Sequence, residues 1–193
     1  MSEFGLMEKA PDLPVAPVAA AAPAFYVVGT RKFTIMFVFT FGAYGIYWMY
    51  KQWDQYRDSI PDGEGQGRLW PVARAIFSVF YFHSLFRKVR AHAAPRLDEW
   101  EYRTHATILV VLVLAERIFD RLSSLDYPHA DTLSLVVMAP LWYFHYKAQQ
   151  LINESCCDPQ GLQNKRLTAA NYGWIAAFIL LFLAMVGVEM AKP

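Results

Sequence analysis

Arg74 and His83 interrupt an apolar stretch, Pro71 to Phe86, and Ser78 and Tyr81 share the Arg74 face at helical spacing. A guanidinium at membrane depth pairs, meets water or snorkels, so Arg74 marks either a polar path between helices or an anchor at a headgroup surface. His83, Arg87 and Arg90 follow on one face, with Lys88 beside them, and this is the densest basic cluster in the chain. Such a cluster suits an anionic lipid headgroup, and topology signalling explains it equally well.

Glu116 and Asp120 form one column of a helix, and Arg117 and Arg121 form the adjacent column. Inside a dry bundle they would suggest a proton or ion relay, whereas at a boundary they are a solvated face. His145 follows the aromatic run Trp142-Tyr143-Phe144, and Cys156-Cys157 with Asp158 lie about three turns on. That spacing matches no zinc signature, so no metal ligands are assigned. Adjacent cysteines also strain any mutual disulfide and are read as free thiols.

The sequence has no G-x-S-x-G, G-x-x-x-x-G-K-[ST], H-E-x-x-H or G-x-G-x-x-G motif, and no catalytic residue or cofactor is expected. The net charge of +1 gives no basic field for nucleic acid.

The elements that must position these residues come from the apolar pattern. Hydrophobic residues make up 55% of the chain and aromatic residues 16%, and they gather in blocks near the length of a bilayer crossing. Residues 1 to 24, rich in Ala and Pro, are expected to form a disordered tail without a signal peptide. Residues 25 to 193 are expected to form one all-α membrane domain.

Its five spans are placed near 33–50, 71–86, 105–122, 132–146 and 172–188. A four-span alternative makes the short second segment re-entrant or interfacial. Basic residues concentrate in the tail and in the 87–104 and 147–170 loops, which puts the N-terminus in the cytoplasm and the C-terminus outside in the five-span arrangement. In the first span Gly42 and Gly45, three apart, are expected to form a small-residue packing face beside Tyr44 and Tyr47.

The run Arg31-Lys32-Phe33 through Thr40-Phe-Gly42-Ala-Tyr44-Gly45-Ile-Tyr47-Trp48, continuing to Lys51 and Trp53, resembles a family of bacterial multi-pass inner-membrane proteins of unassigned function. Trp70-Pro-Val-Ala-Arg74 and Ser84-Leu-Phe86 fit the same family. So do Pro140 with Gln149 and Asn153, and Arg166-Leu-Thr168 with Asn171 and Gly173. The resemblance covers most of residues 25 to 190 and implies an inner-membrane location without naming a reaction.

The leading expectation is therefore a non-catalytic protein that works by association in the lipid bilayer, as an accessory subunit or a homo-oligomer. A small transporter or channel is the alternative, motivated by Arg74, His83, Glu116 and Arg117. A lipid-modifying enzyme is held in reserve.

Overall fold

The computed structural model describes residues 23–61 and 66–191, so the expected tail lies almost wholly outside the described residues. Among them the chain forms seven α-helices: α1 (Thr30–Phe39), α2 (Tyr44–Asp58), α3 (Pro71–Ile76), α4 (Ser78–Ala93), α5 (Tyr102–Ser123), α6 (Ala130–Ser155) and α7 (Ala169–Met190). Short 3-10 turns stand at Gln66–Arg68 and Leu162–Asn164. The all-helical class expected from sequence is what the structure has.

The five-span arrangement is not. The first expected span, 33–50, is two helices joined by a reversal. Phe41 and Gly42 adopt positive φ (49° and 80°), and the Gly42 N–H donates to the Phe37 carbonyl at 2.9 Å, closing α1 with a left-handed stop. The chain folds back, so that the Phe33 ring lies 5.6 Å from Tyr44 and 6.4 Å from Trp48. The Thr40 hydroxyl stabilises this corner, donating to the Met36 carbonyl at 2.7 Å and accepting the Tyr44 N–H at 3.0 Å.

The second expected span breaks at Phe77 into α3 and α4, and α4 runs on through the basic cluster to Ala93. The third and fourth lie within α5 and α6, which carry Glu116, Arg117, Asp120 and Arg121 on one and Asp131 and Lys147 on the other. Among the described residues only Ala169–Val188 of α7 is long, apolar and uncharged enough to cross a membrane. Neither five spans nor four plus a re-entrant segment fits this structure. The first two blocks fail because their backbone does not stay on one helix, and the third and fourth, each on one helix, fail because charged and polar residues interrupt or flank the apolar run.

The largest core side chains are aromatic, Phe25, Phe33, Phe37, Trp48, Trp53, Phe82 and Phe86, all essentially inaccessible. The extended segment 25–29 crosses it, and amide side chains satisfy its backbone there. Gln52 accepts the Tyr26 N–H (3.0 Å) and donates to the Tyr26 carbonyl (3.1 Å). Asn153 accepts the Val28 N–H (3.2 Å) and donates to the Val28 carbonyl (2.9 Å).

Gln149 joins the two, donating to Asn153 at 2.6 Å and accepting the Trp48 indole N–H at 2.5 Å. These side chains act as the neighbouring strand that segment 25–29 lacks, because buried backbone groups need partners. The 158–164 loop closes over the same segment. Its Gly161 is at φ 63°, and a Cβ there would come within 2.5 Å of the Gly29 nitrogen, so only glycine fits.

A cavity between the α5–α6 hairpin, the α1–α2 turn and α7

α5 and α6 pack as an antiparallel hairpin whose outer half carries a polar ladder. The Ser134 hydroxyl donates to Asp120 at 2.9 Å, and the Ser123 hydroxyl donates to Asp131. This register places Glu116 at the level of Met138, and His145 seven residues deeper along α6, about 10 Å at helical rise. Between ladder and core opens a cavity of about 730 Å³. Its walls are Phe37 and Phe41 at the α1–α2 turn, Phe82 of α4, Met138 of α6, and Phe182 of α7. The Phe182 ring stacks on Phe41 at 4.9 Å, which brings α7 over the opening.

Three carboxylates and one guanidinium share the cavity's polar end: Glu116, Asp120 and Asp131 with Arg117. Glu116 is half-buried, and loss of water pushes its pKa from 4.5 up to about 7. Arg117, whose Nε is 3.5 Å away, opposes that shift, and Asp120 adds to it. His145 forms the deep wall. It is 3% exposed and ringed by Phe37, Trp48 and Phe82 at centroid distances of 5.3, 5.3 and 5.7 Å.

Burial drives the His145 pKa from 6.5 down to about 4, so the ring is neutral. Its Nδ1 bonds the Leu141 carbonyl at 2.9 Å, which makes Nδ1 the protonated nitrogen and leaves Nε2 as an acceptor. Nε2 points toward Gly45, where a Cβ would lie 3.6 Å from it, and it has no hydrogen-bond partner among the described residues.

The other sequence candidates scatter. Gly42 sits in the turn against the Met138 sulfur, and Gly45 in α2 faces His145, so they form no single helix face. Tyr44 and Trp48 are buried, while Tyr47 is largely exposed, 5.6 Å from Tyr44 and 6.4 Å from Tyr26 between ring centroids. Arg74 lies over the Trp53 ring at 4.1 Å and near Tyr81 at 5.0 Å, away from the cavity. His83 is exposed and bonded to the Thr107 hydroxyl at 3.1 Å.

Of the basic cluster, Lys88 bonds the Tyr56 hydroxyl at 2.9 Å and Arg90 the Asp98 carbonyl at 3.0 Å, leaving Arg87 as the outward-facing member. Cys156 and Cys157 are free thiols. Cys157 lies 3.0 Å from Arg96, and no group of three potential metal ligands forms among the described residues.

Compared with known proteins, the chain matches no family model, no curated protein and no solved structure.

Of the candidates named from sequence, Thr40, Gly42, Gly45, Glu116, Arg117, Asp120 and His145 meet at this cavity. Sequence reasoning missed the inward orientation of His145. The usable signal was its helical register with Leu141, Ala148 and Ile152, which are all buried.

Proposed function

We propose that this chain is a membrane-anchored helical protein that works by association with another membrane protein or a second copy of itself. The observation that carries the reading is α7: twenty uncharged residues, Ala169–Val188, with none of that window buried against the rest of the chain. At 1.5 Å per residue they reach about 30 Å, the thickness of the hydrocarbon layer. Lys165 and Arg166 stand just before the helix, which favours entry from the cytoplasm and an external C-terminus at a bacterial inner membrane, with the α1–α2 turn packed against Phe182 inside the span.

Association is supported by exposed apolar side chains at the α3–α4 junction, where Trp70, Val72, Ile76, Phe77 and Phe80 stand 46 to 76% accessible. Fractionation tests the anchor. The full chain should resist alkaline carbonate extraction, and a chain ending at Thr168 should be released; equal behaviour of the two would refute it. Crosslinking in intact membranes that captures neither a partner nor a second copy would refute association.

A second reading, passage of an ion or small solute, is favoured by Glu116 and Arg117 on the cavity wall. It requires flux in proteoliposomes that falls with Glu116→Gln.

A further inference from the structure

The α1–α2 corner is tied to α7 at two heights. At the entrance, just ahead of α7, the Lys32 ammonium donates to the Asn164 side-chain carbonyl at 2.7 Å, and the Gly29 N–H donates to the Asn164 main-chain carbonyl at 3.3 Å. At the far end Phe41 stacks on Phe182 at 4.9 Å. At 1.5 Å per residue α7 rises about 20 Å from Ala169 to Phe182, and α1 rises about 15 Å over its ten residues. With α7 across the bilayer, the corner therefore stands near the middle of a hydrocarbon layer about 30 Å thick.

Two further observations bear on what surrounds it. The side chains turned outward are apolar: Val38, Phe39, Phe41 and Ile46 are 43 to 51% accessible, and residues 33–50 carry no charge. Glu116 and Arg117, at a similar depth, belong to α5 and line the cavity, which Val38 and Phe39 do not. The backbone of the reversal is also closed on itself. The N–H groups of Thr40, Phe41, Gly42, Ala43, Gly45 and Ile46 donate to main-chain carbonyls at 2.8 to 3.2 Å, and that of Tyr44 donates to the Thr40 hydroxyl at 3.0 Å. Water would satisfy such donors in any exposed turn. Hydrocarbon would not, so non-helical backbone at membrane depth needs internal partners of this kind.

We propose that the α1–α2 corner is a wedge that enters the bilayer leaflet where α7 starts, reaches about half-way and returns, with Val38 and Phe39 against lipid acyl chains. The wedge is not a crossing, because the reversal at Phe41 and Gly42 sends α2 back toward the side from which α1 came. Arg31 and Lys51 stand at its two ends, where cations meet headgroups. This inference rests on α7 crossing the membrane.

Site-specific fluorescence quenching of the full chain in phosphatidylcholine–phosphatidylglycerol vesicles tests the wedge. In a Cys156→Ser, Cys157→Ser background a dye is attached at Phe39→Cys and, independently, at Val38→Cys, with Leu180→Cys reporting α7 and Gln163→Cys an exposed loop. The dyes at 38 and 39 should lose most of their emission to lipid carrying a nitroxide near the bilayer midplane, less to a headgroup nitroxide and none to aqueous iodide. The Leu180 dye should behave likewise, and the Gln163 dye in the opposite way. Iodide quenching at 38 and 39, with Leu180 still quenched by lipid, would overturn the wedge and spare the anchor. Iodide quenching at Leu180 as well would overturn the anchor and the wedge with it. Protection of 38 and 39 from both quenchers would mean that protein covers the corner, and would overturn contact with lipid.

Discussion

Replacing Asn153 by Ala tests whether amide side chains hold the extended segment in the core. Asn153 is fully buried and bonds both the N–H and the C=O of Val28, which is itself inaccessible. The substitution leaves both backbone groups buried without these partners, and the amide of Gln149 loses its 2.6 Å acceptor. Each buried polar group left unsatisfied costs about 1–3 kcal/mol, so the two on Val28 together give roughly 2–6 kcal/mol. Total stabilities run to only about 5–15 kcal/mol, so the loss is a large fraction of what holds the fold. For a chain of this size each kcal/mol moves the unfolding midpoint by about 2–4 °C, which predicts a fall of roughly 4–24 °C. Far-UV circular dichroism in detergent measures it, with Gln163→Ala as the control because that side chain is exposed. An Asn153→Ala midpoint no lower than the control's would refute the idea that these amides replace a strand partner.

Gly161→Ala should destabilise by about 1–2 kcal/mol from its left-handed backbone alone, with a further loss from the close approach to Gly29. Gly67→Ala, where a Cβ meets nothing within 4 Å, should not, and thermal melts separate the two. Arg74→Leu should cost about 1 kcal/mol through lost stacking on Trp53 and Tyr81, while Arg68→Leu should be neutral in denaturant titrations. Glu116, raised from 4.5 to about 7, binds a proton in the folded state that the unfolded chain has released between those values, so its contribution falls as pH rises through that window. His145, lowered from 6.5 to about 4, acts in the opposite sense between those values, so the two slopes offset where they overlap. Glu116→Gln should therefore make stability rise more steeply between pH 4.5 and 6.5, and melting curves parallel to the native chain's would refute this.

The all-helical class was legible because long apolar and aromatic runs leave little else, but the division of those runs into helices was not. Phe33 to Tyr50 carries no charge, and its hydropathy says nothing about Gly42 adopting φ 80°. Gly42 was itself a helix stop signal, since glycine just past a helix end is the usual left-handed closure. Small residues also serve helix packing, and that second meaning of glycine concealed the first. Proline misled less. Pro71 opens α3 as its position suggests, and Pro140 is accommodated inside α6.

The cavity was half legible. Glu116 and Arg117 stood out as charges on a greasy helix, because a polar residue against an apolar background is a local signal that survives folding. The remainder depends on distant parts of the chain. His145 owes its burial to rings at positions 37, 48 and 82, and α7 meets the opening through Phe178, Leu181, Phe182 and Met185, with Phe182 stacked on a Phe41 that the chain reversal leaves partly exposed. Moving Phe41 back into a continuous helix would take away both that stack and the wall before His145. The reversal at Gly42 that removes the first expected span is thus the same feature that creates the cavity.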